Sequence, residues 1–144
     1  MSVEIQIVKT ATELKQAHQI RIQVFVEEQK VDPSIELDEY DAVATHVLAL
    51  VNGNPVGTAR WRQTDQGIKL ERFAVLQEYR GLGVGKALVE FILNRVRNEG
   101  SIYLNAQEAV IQFYEQFGFQ VRGKHFFEAG IPHKKMVFIP GERE

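Results

Sequence analysis

The sequence of 144 residues contains no cysteine. This absence excludes a disulfide framework, thiolate metal sites and a cysteine nucleophile, and it is compatible with a reducing cytoplasm. A strong excess of one charge is also missing, because 17 lysines and arginines nearly balance 19 aspartates and glutamates. No global basic field is therefore expected that would attract nucleic acid or an anionic membrane.

Long hydrophobic runs are missing as well. The longest are far too short to span a bilayer, and residues 1–10 lack the charged, apolar and small-residue regions of a signal peptide. The composition, with 44% hydrophobic and 25% charged residues, is ordinary for a globular protein. We therefore expect one soluble, cytoplasmic domain over residues 1–144, long enough to bury a core.

Hydrophobic patterning divides the chain into seven predicted strands and three predicted helices. Apolar alternation over residues 3–7 predicts a strand, and the capping box from Thr10 to Glu13 begins a helix that runs to about Glu28. The acidic stretch 34–42 is interpreted as a loop. The other predicted elements are strands over 45–51, 56–63, 68–75 and 102–104, a helix ending near 98, a helix over roughly 107–117 and a hairpin within 120–138. The order β-α-βββ-α-β-α-ββ predicts an α/β fold with one mixed, mainly antiparallel sheet flanked by helices.

The most informative stretch runs from Leu70 to Leu88, where a strand breaks at a polar corner, passes three alternating glycines and continues as an amphipathic helix. A helix that begins behind a glycine-rich turn presents unpaired N–H groups and the positive end of its dipole. Gly81, Gly83 and Gly85 allow the backbone to approach a ligand closely. The stretch therefore predicts an anion site that is best suited to phosphate.

Two common phosphate-binding motifs do not fit this stretch. A P-loop needs a glycine five residues before its Gly-Lys pair and a serine or threonine after it, but Arg80 and Ala87 stand there. A dinucleotide fingerprint ends on a glycine, for which the two possible registers supply Lys86 or Leu88. Neither a magnesium-phosphate loop nor a dinucleotide site is predicted. Arg80 and Lys86 bracket the turn with positive charge, which suits a pyrophosphate.

The pattern that does fit is Arg-x-x-Gly-x-Gly at residues 80–85, directly after the strand Leu-Glu-Arg-Phe-Ala-Val. It resembles the coenzyme A loop of the GNAT superfamily of N-acetyltransferases. The segments 113–119 (Phe-Tyr-Glu-Gln-Phe-Gly-Phe) and 104–107 (Leu-Asn-Ala-Gln) are similar to family segments beside the cofactor. With the segments 25–29 and 129–133, the whole chain looks like a small bacterial branch of that family.

The resemblance implies an acetyl-CoA-dependent N-acetyltransferase that acetylates a primary amine by direct attack in a ternary complex. It implies acetyl-CoA as co-substrate but does not identify the acceptor, for which we predict a small molecule rather than a protein. From the charge balance and the histidine spacing, no metal, nucleic acid or membrane partner is expected. A homodimer through the sheet edge or the C-terminal hairpin is left open. It also implies that the strands on either side of the loop's helix splay apart and hold pantetheine between them. The implied cofactor-binding residues are Phe73, Ala74, Val75, Arg80, Gly81, Leu82, Gly83, Val84, Gly85, Lys86, Asn105 and Tyr114.

Tyr114 and His133 are candidates for proton transfer. The phenol of Tyr114 is protonated at neutral pH and can protonate the departing thiolate; the alternative is a core tyrosine with a satisfied hydroxyl. His133 follows a Gly-Ile-Pro turn and is a reserve base for the amine. The histidines of the chain show no metal-ligand spacing.

Glu71 is the other candidate base. It shares a face with Phe73 if the strand alternates without a bulge, and apolar neighbours would raise the pKa of its carboxyl. The alternative is an ion pair with Arg72 or Arg60 that has no catalytic role. The oxyanion donor is expected to be a backbone N–H between Phe73 and Val75.

The acidic stretch from Glu36 to Asp41, with Glu27 and Glu28, is a candidate entrance that favours a cationic amine. A solvated loop is the alternative. The competing function for the chain is a non-catalytic domain that binds or senses acyl-CoA. A nucleotide-binding module is disfavoured because both of its motifs are absent.

Overall fold

The computed structural model describes residues 2–140, apart from the side chain of Ile35. These residues form one seven-stranded sheet in the order β1-β2-β3-β4-β5-β7-β6, and its neighbouring strands are antiparallel except for the parallel pair β4 and β5. The predicted mixed, mainly antiparallel sheet is confirmed. The strands are β1 (Glu4–Ile7), β2 (Thr45–Val51), β3 (Asn54–Thr64), β4 (Gly67–Val75), β5 (Ile102–Gln107), β6 (Phe119–Glu128) and β7 (Ile131–Phe138).

The helices of the described chain are α1 (Ala11–Arg21), α2 (Pro33–Glu36), α3 (Val84–Val96) and α4 (Ile111–Glu115). A π-helix over Ile22–Glu28 continues α1, so the predicted end near Glu28 is confirmed although the last turns are wider than α-helical ones. The predicted loop at 34–42 contains the end of α2 and a 3₁₀ turn over Glu39–Ala42. The helix predicted over 107–117 is shorter, because Gln107 ends β5 and a 3₁₀ turn precedes α4.

Each face of the sheet is covered by an apolar cluster. The larger cluster lies on the side of α3 and α4 and includes Leu70, Leu88 and Phe119. The smaller one lies on the side of α1 and includes Leu48 and Ala74. Because both faces are packed, a ligand can enter the sheet only where its strands separate.

A bulge in β4 changes the direction of its side chains. Between the pairs Arg60–Glu71 and Thr58–Ala74, two residues of β4, Arg72 and Phe73, lie opposite the single residue Ala59 of β3. Within the bulge Arg72 has a φ of 59°, a left-handed conformation that is uncommon outside glycine. The extra residue places Phe73 with the cluster on the α3 side. The expectation that Glu71 and Phe73 share a face is therefore wrong, because it assumed an unbroken strand.

Strands β4 and β5 diverge after a short parallel ladder. They pair only between Ile68–Leu70 and Ile102–Leu104. β4 nevertheless continues to Val75 and β5 to Gln107. The splayed pair implied by the resemblance is thus confirmed, and the two facing strand edges leave a gap beside the start of α3.

The capping box at the start of α1 leads to a stability prediction. The Glu13 N–H donates to Thr10 Oγ1 at 3.1 Å, and the Thr10 N–H donates to Glu13 Oε1 at 3.1 Å. Replacing Thr10 by alanine should lower the free energy of unfolding by about 1 kcal/mol in chemical denaturation. Thr12→Ala is the control, because the exposed Thr12 side chain forms no hydrogen bond within residues 2–140. Equal losses in both variants would contradict a capping role.

Candidate active site

A cleft of about 670 Å³ lies where β4 and β5 diverge. The loop before α3, the helix α4, the strands β5 and β7 and the π-helix all contribute to its walls. Leu82 is not part of these walls and is half exposed. The other expected site residues all line the cleft, namely Glu71, Phe73, Ala74, Val75, Arg80, Gly81, Gly83, Val84, Gly85, Lys86, Asn105, Tyr114 and His133.

Glycines shape the entry to α3. Gly81 and Gly83 have φ values of 78° and 89°, and a Cβ added to either would meet no heavy atom within 4 Å. Gly83 is the N-cap of α3 and supplies no capping side chain, so the first N–H groups of the helix remain available to a ligand. At Gly85 the packing also favours a residue without a side chain, because a Cβ there would lie 3.2 Å from Phe113 Cζ. This open turn and helix start fit a phosphate group.

Arg80 is held by two neighbouring elements. Its Nε donates to the Val75 carbonyl oxygen at 2.9 Å, and its Nη2 donates to Glu28 Oε1 at 2.7 Å. The side chains of Arg80 and Glu28 are 40% and 36% exposed, so a phosphate can replace this carboxylate at small cost. Glu28 is therefore already paired, and it does not offer free negative charge to an amine.

Tyr114 lies in the cleft wall beside the gap. Its ring meets those of Phe73 and Phe113 edge to face at centroid distances of 5.7 and 5.1 Å. Its hydroxyl forms no hydrogen bond with a protein group in residues 2–140. Burial raises the pKa of Tyr114 above its ordinary value, which keeps the phenol protonated. The alternative of a core tyrosine whose hydroxyl is hydrogen-bonded to the protein is therefore excluded for the described residues. The phenol proton remains available to a ligand.

His133 reaches the cleft from β7 and is almost completely buried. Its Nδ1 lies 2.7 Å from the carbonyl oxygen of Ile131. Because a carbonyl oxygen only accepts, this contact assigns the proton of the neutral ring to Nδ1 and leaves Nε2 as an acceptor. The ring also stacks on Phe126 at a centroid distance of 6.0 Å. The geometry suits a base with a fixed orientation.

Glu71 has a different environment from the one expected. Its Oε2 accepts hydrogen bonds from Arg60 Nε at 2.8 Å and Arg62 Nε at 2.7 Å, and Lys69 Nζ lies 3.2 Å from Oε1. Burial alone would raise the pKa of Glu71, but these cations outweigh it and lower the pKa. The expected raised pKa is wrong, and the ion pair with Arg60 is present. A carboxylate held by cations in this way is a poor proton acceptor.

The acidic stretch folds against arginines of the sheet and of α1. Its three inner carboxylates each contact two arginines at distances of 2.6–3.1 Å. The contacts are Glu36 with Arg21 and Arg72, Asp38 with Arg60 and Arg72, and Asp41 with Arg21 and Arg60. Glu36 and Asp38 line the cleft, but their negative charge is neutralised. The expectation that this stretch attracts a cationic amine is not supported.

The cleft residues that the sequence does not predict include Tyr40, Arg62 and Lys69. A signal for the two cations is present. Arg60 and Arg62 alternate on one predicted strand, and Lys69 and Glu71 alternate on the next. Because alternate residues of a strand share a face, the strand pattern brings these four charges together. A search for charge alternation across neighbouring strands would have found them.

A family model described as the acetyltransferase (GNAT) domain matches residues 10–139. The chain belongs to the GNAT acetyltransferase family. It is 37% identical over 134 residues to the uncharacterized N-acetyltransferase YjcF of Bacillus subtilis, a match that covers 91% of this chain and 96% of the relative. An acyl-CoA N-acyltransferase from Pseudomonas aeruginosa has a similar structure, with a TM-score of 0.86 and 27% identity over 96% of this chain and 100% of that one.

A more distant GNAT acetyltransferase from Elizabethkingia anophelis, whose crystal structure has acetyl-CoA bound, shares the fold with a TM-score of 0.70 and 18% identity over 94% of each chain. Family membership makes this GNAT protein an acyl-CoA-dependent N-acyltransferase. Within residues 2–140, no helix is both long and apolar enough to cross a bilayer. Nor do these described residues contain a group of three metal-ligating side chains arranged around one point.

The carboxylates of the acidic stretch lead to a pH prediction. Burial alone would raise the pKa of Asp38, but Arg60 and Arg72 lower it from 3.8 to about 2. A lowered pKa stabilises the fold above pH 3.8, and this contribution is lost as the pH falls towards 2. Asp38→Asn should therefore destabilise the protein most above pH 4, and the difference from the wild type should shrink towards pH 2 in denaturation experiments.

Asp65→Asn is the matched control for the loss of one negative charge. Asp65 is exposed in the turn between β3 and β4 and forms no ion pair within the described chain. Its variant should keep nearly the stability of the wild type. A loss in Asp38→Asn that stayed constant from pH 6 to about pH 2 would refute the role of the ion pairs.

Proposed function

We propose that this GNAT protein transfers an acetyl group from acetyl-CoA to a primary amine of a small molecule, by direct attack in a ternary complex. The observation that carries the proposal is the continuity of the cleft. It joins the uncapped start of α3 to the unpartnered hydroxyl of Tyr114 and to the acceptor nitrogen of His133. A donor phosphate site and two groups for proton transfer therefore line one cavity.

The cofactor half of the cleft fits coenzyme A. The N–H groups of residues 81–86 suit the pyrophosphate, and Lys86 adds positive charge. The edge of β4 from Phe73 to Val75 suits the pantetheine arm, which pairs there like an added strand. Asn105 lines the opposite side of the gap on β5 and supplies an amide for a further polar contact.

Acetyl-CoA supplies a thioester carbon that is open to attack by the amine. As the new C–N bond forms and the C–S bond breaks, His133 Nε2 accepts a proton from the amine, directly or through a water molecule. The hydroxyl of Tyr114 donates its proton to the departing sulfur. A backbone N–H between Phe73 and Val75 donates to the carbonyl oxygen as negative charge develops on it. Glu71 takes no proton in this scheme and holds Arg62 and Lys69 in position.

Two measurements test the proposal. Calorimetry should show that acetyl-CoA binds more tightly than ATP, and the opposite order would refute the cofactor assignment. Thiol release should then be measured with amino acids, polyamines, aminosugars and peptides as acceptors. Binding of acetyl-CoA without release for any acceptor would favour a non-catalytic acyl-CoA sensor over the enzyme.

Replacing Tyr114 by phenylalanine should lower kcat by about 100-fold, which is typical of a lost general acid. The affinity for acetyl-CoA should change little, because the aromatic ring and its packing remain. Turnover and calorimetric Kd are measured on the same preparation. Tyr103→Phe is the control, since the Tyr103 hydroxyl contacts Thr64 outside the cleft lining. An unchanged kcat in Tyr114→Phe would remove the acid role.

Replacing Gly83 by valine should abolish binding of acetyl-CoA, because the side chain fills the space above the loop that the phosphates need. Gly53→Val is the control, since Gly53 also has a positive φ, of 80°, and open space around it, but lies in the β2–β3 turn. Both variants should lose about 1–3 kcal/mol of stability from backbone strain. Calorimetry with acetyl-CoA separates them, and retained affinity in Gly83→Val would contradict the phosphate site.

A further inference from the structure

The sheet divides the cleft into two halves. The cofactor half faces α3, and the acceptor half lies on the opposite face of β4 and β5. We define the acceptor half by five lining residues: Tyr40, Arg62, Lys69, Glu71 and His133. The following inference rests on the proposed function: the side chains of this half indicate what kind of amine binds there.

The charges around the acceptor half do not favour a cation. The connected ion pairs of the described chain comprise five cationic side chains and four carboxylates, which are Arg21, Arg60, Arg62, Lys69 and Arg72 with Glu36, Asp38, Asp41 and Glu71. His18 and His46 also approach Asp41, but burial lowers the pKa of both, so they add no charge at neutral pH. The cluster therefore carries a net positive charge.

Each of these carboxylates already has at least two cationic partners. Glu71, which is buried in the acceptor half, contacts Arg60, Arg62 and Lys69. A polyamine or another cationic acceptor would have to displace one of these partners from a buried carboxylate. Breaking a buried pair in this way is strongly unfavourable.

Arg62, in contrast, has hydrogen-bond donors that no protein group accepts. Its Nε donates to Glu71 Oε2 at 2.7 Å, while its Nη1 and Nη2 donate to no protein group within residues 2–140. Its guanidinium carbon lies 3.7 Å from the ring centroid of Tyr40, which fixes the plane of the group. A fixed guanidinium with a free edge is suited to a carboxylate that accepts two parallel hydrogen bonds.

Lys69 stands beside Arg62 in the sheet. The two residues are direct partners in the antiparallel register of β3 and β4, which places their Cβ atoms roughly 5 Å apart. Lys69 Nζ has one ionic partner in the described chain, Glu71, at 3.2 Å. Since an ammonium group has further donors, both side chains can bind one anionic group.

We propose that the acceptor of this enzyme is an amino acid, and that Arg62 and Lys69 bind its carboxylate. Its amine then extends along β4 towards the gap, where His133 and Tyr114 line the cleft. In this arrangement Tyr40 orients the guanidinium of Arg62, and Glu71 orients both cations. The enzyme should therefore prefer an amino acid to an amine that has no carboxylate, because such an amine would leave the free donors of Arg62 without a partner.

The first test needs no variant. Thiol release is measured for matched acceptors, each amino acid against its own carboxamide, with putrescine and spermidine as cationic competitors. At least one amino acid should exceed its carboxamide by about 10-fold or more in kcat/KM, as expected for charge-assisted hydrogen bonds. Carboxamides or polyamines that react equally well or better would overturn the proposal.

Variants then assign the effect to the named residues. Arg62→Gln should raise KM for the preferred amino acid about 10-fold, with a smaller change in kcat. It should leave KM for the carboxamide and the Kd of acetyl-CoA nearly unchanged, and Arg62→Lys should recover part of the loss. Arg95→Gln is the control, an exposed arginine on α3 outside the cleft lining. Lys69→Gln provides an independent second variant if Arg62→Gln does not fold.

Calorimetry separates this proposal from the proposed function. Amino acids are titrated into the protein saturated with coenzyme A. Failure of every amino acid to bind overturns the acceptor assignment, whatever the thiol assay shows. Failure of acetyl-CoA itself to bind refutes the proposed function instead. Equal KM effects of Arg62→Gln on acid and carboxamide would show that Arg62 is structural and would also overturn the proposal.

Discussion

A closed ring of ion pairs connects the elements around the acceptor half of the cleft. It passes from α1 through α2 and the following 3₁₀ turn to β3 and β4, and each charged group touches two of opposite sign. Its members are Arg21, Glu36, Arg72, Asp38, Arg60 and Asp41. Arg21 and Arg60 are almost fully buried, so removal of one member would leave an unpaired charge in the interior. The ring therefore works as a unit that fixes the position of the acidic stretch and of the bulge in β4.

The bulge and the divergence of β4 from β5 together determine which groups face which ligand. In a strand without the bulge, Phe73 would point to the same side as Glu71, and Tyr114 would lose one of its edge-to-face neighbours. With it, the aromatic wall lies on the cofactor side, and the paired charges lie on the acceptor side. The cost of the left-handed backbone at Arg72 is offset by two ion pairs, with Glu36 and Asp38.

Much of the fold was accessible from local patterns, because alternation, the capping box and the glycine turn act over a few residues. The element order and the loop that begins α3 are confirmed for this reason. The bulge was not accessible, since nothing in Leu-Glu-Arg-Phe-Ala-Val shows that Arg72 adopts a left-handed backbone. The environment of Glu71 also depends on Arg60 and Arg62 of another strand, so its lowered pKa required the strand register. The pattern within one segment does not show which charged residues of other segments will pair with it.

The acidic stretch shows how pairing can reverse the effect of a charge. Read alone, Glu36 to Asp41 is a patch that attracts cations. In the fold its carboxylates are bound by arginines that come from α1 and the sheet, and the same stretch carries Tyr40 over the guanidinium of Arg62. The negative segment thereby helps to hold Arg62 at the cleft, where its Nη1 and Nη2 donate to no protein group within residues 2–140. Because the carboxylates are paired with arginines and Arg62 retains free donors, the folded acidic stretch offers no site for a cation, and this is the basis for proposing an anionic group on the acceptor.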